Sequence, residues 1–576
     1  MRSPPTASSK RTYHPPLQVQ RASHTEGRTT MVDTAGDRFL AAALLPTAAA
    51  AGEEPPLAGV SDYRGRPVYR STSGGWRSAL FVVAIEIAGS FAYYGVSANL
   101  ITYLTGPLAH SNASAAAAVN AWSGTASLMP LLGAFLADAH LGRYRSIILA
   151  CSLYVLGYGM LMLSSTLPAL RPSQTCSDGS SSSICQPGWV QVAFFYVSLY
   201  LIALAQGADK PCGLAFAADQ FEADHPRERA SRGSLFNWWF FCMAIGISPG
   251  VSLVGYIQES IRWGIGFGVP CAIVLCASTV FLLGTPTYRV YAPRSGTDSE
   301  TPFASVARSL ASRLLNPSRS QSELEAETKW GSDARCVLRL LPIWAASLAC
   351  GVVSAQIMTL FNKQGRTLDR RVGGGVELPP AALQALGPAS ILLFVPVYDR
   401  ALVPALRRAT GNPSGLSMLQ RVGAGMATTV AAVAAAALVE ARRLAAAREH
   451  GLVDEPGATV PMSWAWLVPQ YAMLGVADVL AMVGLQELFY DQMPGGLRSL
   501  GLALNLSVTG VGGFISSFLI SLIDGVTRRG GGDSWFADNL NRAHLDYFYW
   551  LLAGLSAAEL ALFLYFARSY VYRHKS

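Results

Sequence analysis

Two ionisable residues lie inside long apolar stretches of the chain and are the first candidates for chemistry. Lys210 belongs to the stretch 190–217 and Asp478 to the stretch 463–490. A charge at the depth of a membrane is costly, so such residues usually face a water-filled cavity or an opposite charge. A cation and an anion from distant parts of the chain therefore predict a central, gated polar site, which favours transport. The alternative is a static structural ion pair.

The composition indicates a membrane protein. Of the 576 residues, 51% are hydrophobic and only 14% are charged, and the mean hydropathy is +0.31. A membrane-spanning helix needs ~20 mostly apolar residues. Such runs predict an all-α membrane protein with twelve transmembrane helices, near 78–100, 115–138, 144–166, 189–215, 235–256, 264–284, 337–361, 381–403, 417–440, 463–489, 500–524 and 546–570.

The net charge of +8 does not point to nucleic acid, because the basic residues lie in short loops between the apolar runs. If both termini are cytoplasmic, the basic loops of the first half also fall on the cytoplasmic side. The second half follows this rule less well, since Arg370, Arg371, Arg442, Arg443, Arg528 and Arg529 would lie outside. We expect an integral multi-pass protein of the plasma or vacuolar membrane.

The chain divides into two sets of six helices. Residues 1–75 are polar and lack sustained periodicity, which predicts a disordered cytoplasmic tail, with Met1 or Met31 as the true start. Residues 76–284 form the first bundle, 285–335 a cytoplasmic linker, 336–570 the second bundle and 571–576 a short tail. This is the architecture of the major facilitator class, in which the solute site lies between the bundles at mid-membrane.

The loop between the second and third helices carries a motif of small and charged residues: Gly133, Asp138, Gly142, Arg143 and Arg145. Small residues permit close helix contacts, and Asp138 can meet a cationic loop or a helix N-terminus. The motif resembles the loop signature of the major facilitator class. The alternative is an ordinary loop that happens to carry glycine and arginine.

The predicted outer side carries two candidate modification sites. Cys176 and Cys185 flank a Ser-rich loop between helices three and four, where a disulfide is expected, whereas the other seven cysteines are expected to be packing residues. Asn112 begins a glycosylation sequon on the same side, close to helix two.

Several short motifs, in order along residues 76–570, carry a family resemblance. They are Phe91–Gly95, Val119–Gly124, Ala205–Pro211, Ala218–Phe221, Phe236–Trp239, Leu419–Gly423, Gln486–Gln492, Arg498–Gly501 and Asn539–Trp550. Together they resemble the plant nitrate and peptide transporters, which are part of the proton-dependent oligopeptide transporter family of the major facilitator superfamily. The resemblance implies that Lys210 is the family's helix-four lysine. It places Asp478 where the family usually has a glutamate on helix ten, and Asp209 where it often has histidine. The lysine and the helix-ten carboxylate are thought to close the cytoplasmic side.

Helix one departs from the family pattern. The family's proton-coupling motif is Glu-x-x-Glu-Arg, and here only its first glutamate remains, as Glu86, while Gly89 and Ser90 replace the second glutamate and the arginine. Gly89 and Ser90 cannot titrate, so proton coupling by this route is expected to be weak or absent. Glu86 is either a remaining proton site or a structural carboxylate.

Further polar and aromatic residues are candidates for the solute cavity. Ser354 lies where some nitrate-transporting relatives have histidine, two residues before Gln356, and a hydroxyl offers no positive charge. The other candidates are Tyr93, Tyr94, Asn120, Trp238 and Glu487. For each aromatic residue, packing is the alternative to solute contact.

No catalytic, metal or cofactor motif accompanies these features, so the sequence predicts no enzyme. We expect a secondary transporter of a small polar or anionic solute, with nitrate or a small peptide as the family-level substrate and protons as a possible partner. The alternative is a transporter-like receptor that binds solute without moving it.

Overall fold

The computed structural model describes residues 55–57, 59–137, 141–170, 187–222, 225–291, 329–372, 376–410, 416–493, 498–529 and 533–570. The part of the chain that it describes is predominantly helical. We number the helices α1–α12 and treat α1–α6 as the N-half and α7–α12 as the C-half.

The N-half helices are α1 Gly75–Ser97, α2 Asn112–Leu136, α3 Arg143–Thr166, α4 Trp189–Asp219, α5 Pro226–Pro249 and α6 Trp263–Gly284. A short helix, Leu100–Thr105, continues α1, and two π-helical segments, Gly250–Val254 and Ile257–Ile261, continue α5. The sequence placed the start of the fifth helix at 235, but α5 begins at Pro226, because proline is tolerated in the first turn of a helix.

The C-half helices are α7 Lys329–Ala345, α8 Leu386–Val397, α9 Met418–Glu449, α10 Val468–Gln492, α11 Arg498–Arg529 and α12 Leu545–Ser569. Instead of the single predicted span 337–361, α7 bends by 47° into a second helix, Leu348–Ser354, and Leu360–Arg366 follows. At the bend, Glu559 of α12 accepts a hydrogen bond of 2.6 Å from the backbone nitrogen of Ala349. This carboxylate satisfies a helix-start donor that would otherwise lack a partner.

Among the described residues, ten helices are long and apolar enough to cross a membrane, and the bent α7 makes eleven. The remaining predicted span, α2, is 25 residues long but carries more small and polar residues. It packs against α4 in its own half and against α11 in the other. A helix covered by protein on both sides needs less apolar surface than one facing lipid, which accounts for the difference.

Hydrophobic cores divide the molecule into two ends. One large core joins both halves at the end away from the linker; it includes Leu104 and Trp122 of the N-half with Val352 and Tyr471 of the C-half. At the linker end each half has a core of its own, one around Phe216 and the other around Leu485 and Phe563. The halves are therefore packed together at one end and separately at the other.

Residues 59–74, at the end of the predicted tail, are fixed to the N-half. Strand β1, Val60–Ser61, pairs antiparallel with strand β2, Val290–Tyr291, at the start of the linker. Residues of both flanking segments are therefore fixed to the N-half, while α1 begins and α6 ends at the boundaries that the sequence predicted for the first bundle.

Arg289 is the centre of this anchor and is only 1% exposed. Its guanidinium donates hydrogen bonds to the backbone oxygens of Ser73 at 2.8 Å and Gln220 at 3.1 Å, and to Glu228 Oε2 at 2.7 Å. Burial alone would raise the pKa of Glu228, but the bond and charge of Arg289 outweigh it and hold that pKa below its usual value.

Candidate functional site

Lys210 of α4 forms its ion pair with Glu86 of α1. The distance from Lys210 Nζ to Glu86 Oε1 is 2.7 Å, and Ser90 Oγ donates to the same oxygen at 3.1 Å. The Lys210 side chain is 26% exposed, whereas Glu86 is 3% exposed. The lysine is thus the partner with access to the space between the helices, and the glutamate is the fixed, buried one.

Close backbone packing positions this part of α4. Pro211 has no backbone N–H, so the carbonyl oxygen of Gly207 lacks its usual helical donor. Gly133 of α2 lies against this carbonyl, and a Cβ at Gly133 would come within 1.8 Å of it. The sequence predicted that Gly133 permits a close helix contact, and the structure places that contact beside the Lys210 segment.

Asp209 lies next to the ion pair and is 2% exposed. Its Oδ2 accepts a hydrogen bond from the Tyr154 hydroxyl of α3 at 3.3 Å. A Cβ built on Gly89 would lie 3.6 Å from the same oxygen. Asp209 therefore borders the space that opens where helix one lacks a side chain, and Lys210 is hydrogen-bonded to Glu86 rather than to Asp209.

Asp478 begins a π-helical segment, Asp478–Met482, inside α10. Such widened turns are rare and often mark functional sites. Asp478 is partly buried, and it makes no ion pair among the described residues. Tyr94 interacts electrostatically with Lys210, Glu86 and Asp478, so all three charges lie around one tyrosine. The predicted contact between Lys210 and Asp478 is not made in this state, and their meeting in another state stays a prediction.

A second polar cluster joins the halves at Ser516 of α11, which the sequence analysis missed. Ser516 Oγ accepts hydrogen bonds from Asn120 Nδ2 at 2.9 Å and from Gln356 Nε2 at 2.7 Å. All three residues are at most 1% exposed. Asn120 and Gln356, two of the predicted cavity residues, therefore share Ser516 as their hydrogen-bond partner in this state. They face solute only if the halves separate here. The spacing of the small residues in α11 did not distinguish Ser516 as a candidate functional residue.

The remaining cavity candidates do not share one site. Tyr93 stacks on Trp122, with ring centroids 5.2 Å apart. Ser354 is partly buried beside Gln356. Trp238 is 41% exposed against Phe241, and Glu487, half exposed, pairs with Arg421 at 3.2 Å. The position of Tyr93 is thus explained by aromatic packing, and that of Glu487 by an ion pair within the C-half.

In the loop motif, Arg143 pairs with Asp219 at the end of α4, with Nη1 and Oδ2 2.6 Å apart. Gly142 adopts φ 73°, which glycine tolerates best, at the turn into α3. Arg145 is exposed, and Asp138 lies outside the described residues. The motif therefore ties α3 to the cytoplasm-directed end of α4 in the predicted orientation.

The end away from the linker is closed by polar bonds between the halves. Asn362 Nδ2 and Gln384 Nε2 donate to the backbone oxygen of Ala98, at 2.6 and 2.8 Å, and Lys363 Nζ donates to Thr105 Oγ1. We call these five residues the seal. Lys363 is 7% exposed and lies outside the apolar spans. Burial lowers the pKa of Lys363 to about 8; Arg366 lowers it further and Asp538 opposes the shift.

Asn112, the predicted glycosylation site, belongs to the same closed end. Its Nδ2, the atom that would carry a glycan, donates to the backbone oxygens of Ala537 and Asp538 at 3.1 and 3.2 Å, and the residue is 4% exposed. A glycan would have to break these bonds. Cys176 and Cys185 lie outside the described residues, so their disulfide stays a prediction.

Comparisons with known proteins agree on one family. Residues 144–536 match the family model described as "PTR2: POT family". The chain is 49% identical over 547 residues to the NRT1/PTR family 5.10 protein of Arabidopsis thaliana, covering 90% of this chain and 97% of the relative. It is 47% identical to the family 5.16 protein of the same plant, covering 89% and 96%.

A solved structure shows the fold. The crystal structure of an auto-inhibited POT family peptide transporter superposes with a TM-score of 0.67 at 21% identity, covering 87% of this chain and 99% of that one. The helices therefore have the major-facilitator arrangement that the sequence predicted. The family match and the plant relatives show that the chain belongs to the POT family of membrane transporters, as its motifs predicted, and is not an enzyme.

Proposed function

We propose that the chain carries a small polar or anionic solute by alternating access, with nitrate or a small peptide as the family-level candidates. The observation that carries this proposal is the asymmetry of the two ends. The halves share one core and a polar seal at one end, whereas each half has its own core at the linker end. Such packing is what a transporter has when its site opens toward one side only.

Lys210 is the group that changes partner in this proposal. In the described state it binds Glu86 within the N-half. When the linker end closes, Lys210 pairs with Asp478 of the C-half, and the bond to Glu86 is given up. Tyr94 interacts electrostatically with all three of these charges. We place the linker end and both termini in the cytoplasm, in the plasma or vacuolar membrane.

Coupling to protons through helix one is weak or absent in this proposal, because Gly89 and Ser90 supply neither a carboxylate nor a guanidinium. The solute then equilibrates in both directions rather than accumulating. The test is uptake into reconstituted liposomes with and without an inward proton gradient. Strong uphill accumulation by the unmodified protein would overturn this part, and Gly89→Glu with Ser90→Arg should increase the dependence on the gradient.

The solute itself is to be found by radiotracer or stable-isotope uptake against nitrate, chloride, dipeptides and plant hormones. Binding is measured beside flux on the same preparations. Saturable flux of one solute supports the transporter, whereas binding without flux supports a receptor that uses the same cavity.

A further inference from the structure

The cluster around Lys210 contains two carboxylates and one cation. Glu86 and Asp209 are 3% and 2% exposed, and Lys210 Nζ is hydrogen-bonded to Glu86 alone. If both carboxylates were ionised, the cluster would hold a net negative charge away from water, which is unfavourable. Binding one proton removes that charge.

Asp209 is the carboxylate placed to take this proton. Glu86 Oε1 already accepts two hydrogen bonds, from Lys210 and Ser90, whereas among the described residues Asp209 accepts one, from the Tyr154 hydroxyl at 3.3 Å. Ionised Glu86 is therefore the better stabilised of the two carboxylates.

The space beside Asp209 belongs to helix one. A Cβ on Gly89 would lie 3.6 Å from Asp209 Oδ2, so a longer side chain at 89 would project into the same region. The carboxylate that α1 lacks is thus supplied from α4, on the other wall of the same space.

We propose that Asp209 is the proton-binding carboxylate of this transporter and sets the pH dependence of its flux through Lys210. When Asp209 is neutral, Glu86 is the one negative charge of this cluster that attracts Lys210. Ionised Asp209 adds a second negative charge within the N-half, which holds Lys210 back from Asp478. Raising the pH therefore slows the change of partner and, with it, the flux.

The groups that face Asp209 from the helices packed around it are known. Among the described residues, α1 contributes Glu86, α4 contributes Lys210, and α5 contributes the Trp239 ring near Gly213 and Cys242, which interacts with Glu86. The titratable groups of α3 that interact with Asp209 are Tyr154, Tyr158 and Cys151. Lys210 is the cation among these groups, so the charge on Asp209 acts on the position of Lys210.

This inference rests on the proposed function but differs from proton coupling. A proton drives accumulation only if its binding and that of the solute affect each other. Ser90 stands where a solute-binding arginine would link the two, so Asp209 changes the rate without driving uphill transport. Flux is therefore measured with the same pH on both sides of the membrane.

The first measurement needs no solute. Infrared difference spectra of the purified full chain between about pH 5 and about pH 9 should show the carbonyl band of a protonated carboxylic acid. Asp209→Asn should weaken this band by the contribution of one buried carboxyl, whereas the matched control Asp62→Asn, at an exposed turn, should leave it unchanged. An unchanged band in Asp209→Asn overturns the proposal even if no solute is ever found. Where Asp209→Asn fails to fold, Tyr154→Phe, which keeps the carboxyl, should shift the frequency of the band, and an unshifted band overturns it.

The second measurement is exchange flux of whichever probe the uptake panel identifies. Over the same range, wild-type flux should fall by roughly threefold or more, because one proton equilibrium redistributes the two states of Lys210. Asp209→Asn should hold the rate of the acidic side at every pH. Gly89→Glu combined with Asp209→Asn returns a carboxylate to α1 and should restore the pH dependence. A full wild-type pH dependence in Asp209→Asn overturns the proposal.

Discussion

Each half places a lysine among its helices, and the two lysines have different partners. Lys210, near the linker end, has a carboxylate partner at 2.7 Å. Lys363, at the opposite end, has Thr105 Oγ1 as its hydrogen-bond partner, and its nearest favourable charge, Asp538, is too far for an ion pair. A paired lysine can exchange one carboxylate for another at little cost, whereas a lysine buried against a hydroxyl is stabilised by losing its proton.

The comparison indicates what each end does. The linker end holds a charge that must always have a carboxylate partner, which suits a residue that switches between Glu86 and Asp478. The opposite end holds a charge that prefers water, which suits a seal that opens when the lysine is hydrated. The following changes test this division, from the largest expected effect to the smallest.

Replacing Lys210 should have the largest effect. Lys210→Ala leaves Glu86 buried without its cation and removes the group that pairs with Asp478, so flux should fall by at least about tenfold. Membrane insertion should be unaffected, which is checked by the amount of folded protein in the membrane. The control is Arg529→Ala, which removes an exposed cation from the end of α11. Normal flux in a well-expressed Lys210→Ala protein would refute the proposal that Lys210 acts as a gate.

A double-mutant cycle should show whether Lys210 and Asp478 act as a pair. Asp478→Asn alone should reduce flux, because Lys210 then has no partner when the linker end closes. Adding Asp478→Asn to Lys210→Ala should cost little more, and the coupling energy should be about 1–3 kcal/mol. Additive losses in flux would mean that the two residues act independently.

Replacing Lys363 tests the seal through pH. The pKa of Lys363 is about 8 in the closed end and 10.5 when the side chain is exposed. Below pH 8 the lysine is therefore charged in both forms, and burial of this charge destabilises the closed form by the full amount. This penalty is lost as the pH rises from 8 towards 10.5. Below that window Lys363→Met should be more stable than wild type, by at most about 3 kcal/mol, and above it the difference should vanish.

Thermal unfolding of both proteins across the window measures this difference. Arg371→Met is the control, because it removes an exposed cation shortly after the helix that carries Lys363 and is not among the charges that shift the pKa of Lys363. A stability difference that is constant with pH would show that Lys363 keeps its proton in the closed end.

Asn112 should give the smallest effect. Because its Nδ2 is bonded to the backbone at the closed end, the expressed protein should carry no glycan there. Treatment with a deglycosidase should leave the mobility of wild type equal to that of Asn112→Gln. A mobility shift seen only in wild type would mean that the sequon is occupied and that the closed end is built differently.

Sequence patterns predicted the fold and the family well, because apolar runs and short motifs are local features. They also identified Lys210, Glu86 and Asp478 as charges that needed partners. They predicted that Lys210 meets Asp478 in at least one state but did not predict its bond to Glu86, because which of two carboxylates meets Lys210 depends on how far apart the halves are. Ser516 and Lys363 were missed since both sit in stretches whose composition is unremarkable and matter only through contacts across the halves.

The ordered segment before α1 was also beyond the reach of the sequence. Val60–Ser61 forms a strand only because Val290–Tyr291, more than two hundred residues later, is held beside it by Arg289. A two-residue strand is too short to leave a periodic pattern in the sequence. A buried arginine cannot be distinguished in the sequence from an exposed arginine of a loop until its hydrogen-bond acceptors are known.

The Arg289 anchor also determines where a mechanical load on the linker is felt. Tension between the halves reaches the N-half at Tyr291 and passes through Arg289 to the backbone of Gln220 and the carboxylate of Glu228. It is therefore delivered to the ends of α4 and α5 as well as to α6, where Tyr288 is hydrogen-bonded to the backbone oxygen of Phe281. Since α4 carries Lys210, the tether pulls on the helix whose lysine changes partner.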